Sequence, residues 1–412
     1  MAGLGATGLA ALAAPAVLAQ AGPPVVVIGG GFGGATAARE LRRGGLSVTL
    51  VEPEPAYVAC PGSNEVLAGM RPLEAQRFGL DALAREGVRV VAQRATALDA
   101  TARRVTLGDG SVLSYDRLVL SPGIDLRFGA LPGYDEAAVE LMPHAWKAGS
   151  QTTLLRDRLR ALDDGGVVAI VAPANPYRCP PGPYERASLI AWWLKANKPR
   201  AKLLILDAKD TFSKQKLFQQ AWAALYPGLV EWVGLSGGGK VTEVRPGEGT
   251  LVTEFDTHRV ALANVIPPQQ AARIARDGGA ADRTGWCPVD PVTFESKLLP
   301  GVHVIGDAAI MGGMPKSAFS ANAQAKVCAA AVAALLRGGA PASPRLINTC
   351  YSLVAPDYGI SVAGVYRPAN GVLADVEGAG GTSPLDAPRS QREQEARYAE
   401  AWFRTITAEV YG

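Results

Sequence analysis

Five cysteines stand in this chain of 412 residues, at positions 60, 179, 287, 328 and 350, and their neighbours divide them. Cys179 sits in Ala172-Pro173-Ala174-Asn175-Pro176-Tyr177-Arg178-Cys179-Pro180-Pro181, a proline-flanked loop that follows the apolar run Val167 to Val171. The carboxyl end of a strand is where α/β sheets place their ligands, whereas a structural cysteine more often sits inside a strand or helix. A thiolate there is a nucleophile. The adjacent Arg178 either lowers the thiol's pKa and draws in an anion, or forms a surface salt bridge. Cys60 lies in Tyr57-Val58-Ala59-Cys60-Pro61-Gly62-Ser63-Asn64-Glu65, and Cys350 follows Asn348-Thr349 in a segment that reads as loop. Cys328, in an apolar helix, and Cys287, in a turn after Trp286, read as packing residues. Spacing alone does not pair cysteines. Glu185, just beyond Cys179, is a candidate proton shuttle. The three histidines, His144, His258 and His303, show no metal-ligand spacing, and with the cysteines scattered this argues against a zinc site.

The elements that must hold these residues begin at Pro24 to Ile28, an apolar β-branched run. Gly29-Gly30-Gly31-Phe32-Gly33-Gly34 follows, then a helical stretch Ala35 to Arg43 and a second strand Ser47 to Val51 that ends at Glu52. This order is the dinucleotide fingerprint in its full context. Gly29, Gly31 and Gly34 permit a tight turn, close approach of backbone to a pyrophosphate, and helix–strand packing, and the helix N-terminus faces the phosphates. Glu52, about twenty residues on, is placed to hold a ribose hydroxyl pair. Tyr115 to Gly123 resembles the strand and turn that close the first half of two-dinucleotide flavoproteins. Val302-His303-Val304-Ile305-Gly306-Asp307 resembles their late motif, in which the aspartate, here Asp307 beside Gly306, binds the ribityl chain of FAD. The loop Gly312 to Ser317 precedes an alanine-rich helix, Ser317 to Leu336. The helix dipole, with Lys316 nearby, would stabilise a reduced flavin's negative charge; the alternative is that Lys316 is an ordinary solvated lysine.

Between these segments lies a second α/β unit: helix Gln151 to Leu162, strand Val167 to Val171, helix Glu185 to Asn197, strand Lys202 to Asp207. In such a unit the first strand usually opens a nicotinamide fingerprint. Prolines, an arginine and a cysteine stand there instead, which points to electrons from sulfur rather than from NAD(P)H. The expected fold class is α/β, with two Rossmann-like dinucleotide-binding domains of glutathione reductase-like arrangement and a C-terminal interface domain. The expected boundaries are a leader at 1–21, an FAD-binding domain at 22–150 and 276–344, the second Rossmann-like domain at 151–275, and the interface domain at 345–412. A net charge of +3 gives no footprint for nucleic acid or a strongly acidic partner. The leader is small and apolar from Gly3 to Leu18, with an Ala19-Gln20-Ala21 cleavage pattern, too short and alanine-rich for a good membrane span. It predicts export to the periplasm, where disulfides are allowed, although no basic or twin-arginine segment precedes it.

Four irregular strings carry a closer resemblance. They are Pro143-His144-Ala145-Trp146-Lys147-Ala148-Gly149, Arg178-Cys179-Pro180-Pro181-Gly182-Pro183-Tyr184-Glu185-Arg186-Ala187-Ser188, Gly285-Trp286-Cys287-Pro288-Val289-Asp290 and Asn348-Thr349-Cys350-Tyr351-Ser352. In these the chain resembles the flavoprotein subunit of flavocytochrome c sulfide dehydrogenase. The resemblance implies that Cys179 and Cys350 match a redox-active pair beside FAD. It implies that Cys60 matches a cysteine able to bind FAD covalently as a thioether, and that a c-type cytochrome subunit takes the electrons in the periplasm, within a heterodimer. Pro61-Gly62 departs from the bulkier residues familiar after that cysteine. Three other readings compete. A sulfide:quinone oxidoreductase usually needs an amphipathic membrane-binding end, and the C-terminal stretch with Trp402, Phe403 and Ile406 fits packing better. An NADH-dependent disulfide reductase needs the fingerprint that is missing after Val171. A flavin module that only delivers electrons would not need the cysteines.

Overall fold

A computed structural model describes residues 22–412; the predicted leader, 1–21, lies outside the described residues. The first β-branched run forms the centre of a five-stranded parallel sheet, ordered Val302–Val304, Arg117–Leu120, Pro24–Ile28, Ser47–Val51, Arg89–Val91. Val25, Val26 and Val27 are almost fully buried because both faces of a parallel sheet are covered. The strand from Val302 joins segments far earlier in the chain, so the first α/β unit is completed only after the second has been inserted. Helix Phe32–Arg43 covers one face and packs against helix Ala318–Leu336.

The second sheet is also parallel, ordered Val230–Val233, Lys202–Asp207, Val167–Ala172, Leu262–Val265. Its two central strands lie where the sequence places them. The helix after Cys179 starts earlier than read, at Gly182, with Pro183 in its first turn. That position suits proline, since a first-turn N–H has no intrahelical acceptor to lose.

The C-terminal part is an antiparallel sheet of Leu346–Ala355, Tyr358–Ala369 and Val372–Asp375, closed by helix Arg389–Tyr411. Cys350 therefore lies in a strand, opposite Val362, and not in a loop. The strand escapes sequence reading because its inward positions Asn348 and Ser352 are polar, while outward Ile347 is exposed. Alternation is present, but its polarity is inverted beside the site. The closing helix buries Phe403 and Ile406 and reaches back to the glycine loop, where Tyr411 donates to the Gly30 carbonyl at 3.3 Å. Among the described residues Ala318–Leu336 is long and apolar enough to cross a membrane, and its Ala325, Cys328 and Val332 are wholly buried in the protein core.

Candidate active site

Two adjoining cavities define the site. The larger, ≈ 570 Å³, runs along the glycine loop past Glu52, Ser121 and Gly123 to Gly306 and Asp307. The smaller, ≈ 130 Å³, is lined by Cys60, Cys179 and Cys350 together, with Glu185, Trp146 and Trp402. Cys60, Pro61, Arg178, Ser317 and Ala318 border both cavities. The fold thus brings together three cysteines far apart in sequence and sets them at one end of the nucleotide cleft.

The larger cleft fits a dinucleotide by its own chemistry. A Cβ on Gly34 would stand 1.8 Å from the Gly29 carbonyl, and one on Gly29 would stand 2.3 Å from that of Ser121. The loop therefore closes only with hydrogen at these positions. The Glu52 carboxylate accepts from the backbone N–H of Gly30 at 2.6 Å and of Glu54 at 3.0 Å, which holds an acid beside the glycine loop. Asp307 offers a buried carboxylate oxygen, Oδ1, that has no partner among the described residues. Such an acceptor calls for a donor from a ligand or from water. Burial raises the pKa of its carboxyl, opposed by the charges of Arg178 and Lys316.

Arg178 is not a surface residue. It donates to the Trp146 carbonyl, lies 4.0 Å from Asp307 and borders both cavities. Lys316 does not line either cavity; its ammonium donates to the carbonyls of Asp307 at 2.9 Å and Ala309 at 2.5 Å and lies 4.0 Å over the ring of Trp286. Its charge thus acts from behind the Asp307 turn, and the face presented to the cleft is the start of the helix, where Ser317 caps the N–H of Ser320 at 3.0 Å. Burial lowers the Lys316 pKa to about 8, against the charge of Asp307.

Cys179 adopts a left-handed backbone, φ +57°. Strain of that kind persists where the surroundings over-determine it. Here the Cys179 N–H donates to the Lys316 carbonyl and its own carbonyl accepts from Gly182, both at 2.8 Å. This pins the loop of the second unit onto the helix entry of the first. Burial pushes the Cys179 thiol well above the ordinary range; nearby Glu185 and Cys350 add to this, and Arg178 and Lys214 oppose it. Burial likewise raises the Glu185 carboxyl pKa. Cys60 lies with its sulfur 3.9 Å from the Trp146 carbonyl. Gly62, the departure noted above, takes a left-handed turn, φ +81°, that lets the Ser63 N–H return to the Cys60 carbonyl at 3.0 Å. Cys287 and Cys328 are fully buried.

The irregular strings turn out to be the scaffold of this pocket. Buried Arg186 donates to the carbonyls of His144 and Ala145 at 3.1 and 2.7 Å, to Asn264 at 2.9 Å and to Asn64 at 3.0 Å, and it stacks on Trp146. Asn64 in turn donates to Glu185 at 3.0 Å. The segment around Cys60, the segment at 143–149 and the helix after Cys179 are thereby tied by one guanidinium. A buried cation whose donors are nearly all engaged is a strong geometric constraint.

Sequence reading missed Arg186, Asn64, Asn348 and Lys214 as site residues. Lys214 was the most legible of them in principle. It stands at the entry of helix Gln215–Leu225, where a cation opposes the helix dipole.

Two parallel sheets, the first completed by a late fifth strand, with a glycine cradle and a second unit carrying a cysteine loop, define a two-dinucleotide-binding flavoprotein of the disulfide oxidoreductase class. Family comparisons agree. Residues 23–161 match the pyridine nucleotide-disulphide oxidoreductase family, residues 152–267 the central region of the sulfide dehydrogenase (flavocytochrome c) flavoprotein chain, and residues 342–411 the flavocytochrome c sulphide dehydrogenase flavin-binding region. The sulfide dehydrogenase (flavocytochrome c) flavoprotein chain of Chlorobaculum thiosulfatiphilum is 61% identical over 44 residues, which cover 10% of this chain and 92% of that relative. A sulfide-quinone reductase of Aquifex aeolicus is 34% identical over 109 residues, 26% of this chain and 25% of the relative. Among solved structures, the sulfide:quinone oxidoreductase of Aquifex aeolicus superposes with a TM-score of 0.74 at 18% identity, covering 94% of this chain and 92% of that one. Putidaredoxin reductase in its covalent complex with putidaredoxin superposes at 0.65 and 17% identity, covering 92% and 93%; at such identities the likeness is one of fold. The chain belongs to the family of flavocytochrome c sulfide dehydrogenase flavoproteins.

Proposed function

We propose that this protein oxidises hydrosulfide through a Cys179–Cys350 disulfide and FAD, and passes the electrons to a c-type cytochrome subunit in the periplasm. The observation that carries the reading is the lining of one small cavity by Cys60, Cys179 and Cys350 at the end of the nucleotide cleft. Hydrosulfide attacks one sulfur of the pair. The S–S bond breaks, its electron pair stays on the other sulfur as thiolate, and the attacked cysteine becomes a persulfide. A second hydrosulfide takes the outer sulfur as a two-sulfur chain and leaves a second thiolate. The glycine loop, Glu52 and Asp307 would hold FAD, which would supply the two-electron acceptor for the cysteine pair and one-electron chemistry toward a haem. Arg178, at the junction of the cavities, attracts the anionic substrate. Glu185 lines the small cavity, burial raises the pKa of its carboxyl, and it serves as the proton shuttle of this reading.

The acceptor is tested by anaerobic assay of the detergent-free protein with sulfide and either cytochrome c or a soluble quinone. Reduction of cytochrome c alone supports the proposal, and reduction of quinone alone would replace it with the sulfide:quinone reading. Copurification of a protein with a Cys-x-x-Cys-His haem motif tests the partner.

NADH is expected to leave the flavin oxidised. Asp207 ends the second strand of the second sheet, where a nucleotide unit needs a free acid for ribose. Its carboxylate is wholly buried and accepts from Tyr184 at 2.5 Å, Trp232 at 2.9 Å and Lys209 at 2.6 Å. Stopped-flow bleaching of the flavin's visible absorbance is the check, and fast bleaching by NADH would restore the nicotinamide reading. Covalent attachment is checked separately. Acid-precipitated wild type stays yellow, and Cys60→Ala releases all its flavin to the supernatant; release from both would leave Cys60 as a neighbour of the cofactor and no more.

A further inference from the structure

Of the three sulfurs that line the small cavity, those of Cys179 and Cys350 differ in their hydrogen-bond partners. Asn348 Nδ2 stands 3.4 Å from Cys350 Sγ. The orientation of that amide follows from its other end. Oδ1 accepts from the hydroxyls of Ser317 at 2.6 Å and Ser320 at 3.1 Å, so the NH₂ group is the one that meets the sulfur; Oδ1 itself is 3.8 Å away. Behind Cys350 lies the ammonium of Lys214, which donates to the Cys350 carbonyl at 2.9 Å and to Ser352 Oγ at 2.8 Å. Lys214 is buried and holds a left-handed backbone, φ +62°. A desolvated lysine in a strained conformation is costly, and it persists where a negative charge repays it. Among the described residues no side chain donates a hydrogen bond to Cys179 Sγ; the charge of Glu185 opposes a thiolate there, and those of Arg178 and Lys214 favour one.

We infer that Lys214 is a positioning residue which, with the amide of Asn348, makes Cys350 the sulfur that departs as thiolate, so that hydrosulfide attacks Cys179 and the persulfide forms there. The inference rests on the Cys179–Cys350 pair of the proposed function and adds the order of events to it. In thiol–disulfide exchange the better-stabilised thiolate leaves faster. When HS⁻ bonds to Cys179 Sγ, the bond to Cys350 Sγ breaks. The electron pair remains on Cys350, within the field of Lys214 and in reach of the Asn348 N–H donor. The other charged and titratable groups around Cys350 are Cys179 and Glu185 from the loop and helix of the second unit and Tyr366 from the paired strand, and Glu395 of the closing helix acts on Lys214. Burial lowers the pKa of Lys214, while Cys350, Glu185, Cys179 and Glu395 favour its charged form.

The test uses the flavin-loaded protein. Anaerobically reduced samples are alkylated with iodoacetamide at neutral pH, and the labelling rate of each cysteine is followed by peptide mass spectrometry. Cys350 is expected to label faster than Cys179. Lys214→Met slows labelling of Cys350 about tenfold, and Lys214→Arg restores it. A single equivalent of sulfide given to the oxidised protein, followed by alkylation, places the persulfide on the Cys179 peptide. A persulfide on Cys350, faster labelling of Cys179, or a Lys214→Met loss equal at both sulfurs overturns the inference. The wild-type labelling order and persulfide position decide the matter even if the methionine variant does not fold. Peptide mapping of oxidised protein without reductant separates the two levels: absence of a Cys179–Cys350 disulfide removes the proposed function's pair, whereas the thiol order is read in reduced protein.

Discussion

Cys179→Ser is expected to yield a folded, yellow protein whose sulfide-dependent acceptor reduction falls at least about a hundredfold, because a covalent step has lost its nucleophilic centre. The fold should survive for a local reason. The contacts that hold the loop are backbone bonds, from Cys179 N–H to the Lys316 carbonyl and from Gly182 N–H to the Cys179 carbonyl, and neither uses the sulfur. The side chain borders a cavity, so a smaller, more polar oxygen does not force repacking. Chain entropy assigns a disulfide over so long a loop about 5 kcal/mol, but a bond opened in every turnover cannot be the main support of the fold. The extensive parallel sheets and their covering helices must carry that. The measurements are the flavin spectrum, a thermal melt and anaerobic turnover. Full sulfide-dependent activity in the variant would sink the disulfide mechanism, and a colourless, unfolded product would show that the bond is structural.

Gly34→Ala should act at the other end of the cleft and abolish the cofactor site. The added Cβ would lie 1.8 Å from the Gly29 carbonyl, far inside any contact distance. Overpacking against side chains costs about 1–3 kcal/mol. Here a carbonyl of the glycine loop must move, and with it the junction to Ser121, whose side chain approaches the same Cβ at 3.3 Å. We expect the flavin-to-protein absorbance ratio of purified protein to drop at least about tenfold, which corresponds to 1.4 kcal/mol of lost binding. Gly247→Ala is the control, since a Cβ there meets open space. Wild-type flavin content in Gly34→Ala would mean that the cofactor does not lie against this loop.

Much of the site was legible before any coordinates, and what was not has identifiable causes. Cys179 stood out because prolines and a cysteine replace glycines at the end of a strand, and the reading of it as a cavity residue needs only local pattern. The first strand, the glycine loop and Glu52 are likewise local: their spacing follows from backbone geometry over fewer than about thirty residues. Cys350 reads as loop in the sequence because the inward face of its strand carries Asn348 and Ser352, and hydrophobic alternation is the signal that sequence reading depends on. Lys316 precedes the helix, but only packing decides which way a long side chain turns, and it turns toward Trp286.

The sequence by itself determined the class of the molecule: two dinucleotide-type units, one with its phosphate loop intact and one with that loop converted to a cysteine. Periodicity and glycine spacing are properties of neighbouring residues, so they survive in one dimension. The tertiary structure alone decided that Cys60, Cys179 and Cys350 share a wall, that Arg186 and Asn64 tie three distant segments into that wall, and that Lys214 and Asn348 direct their hydrogen bonds to the strand and sulfur of Cys350. These are contacts between residues separated by tens to hundreds of positions. They arise from the crossing of two sheets and a closing helix, and no local pattern encodes where such surfaces meet.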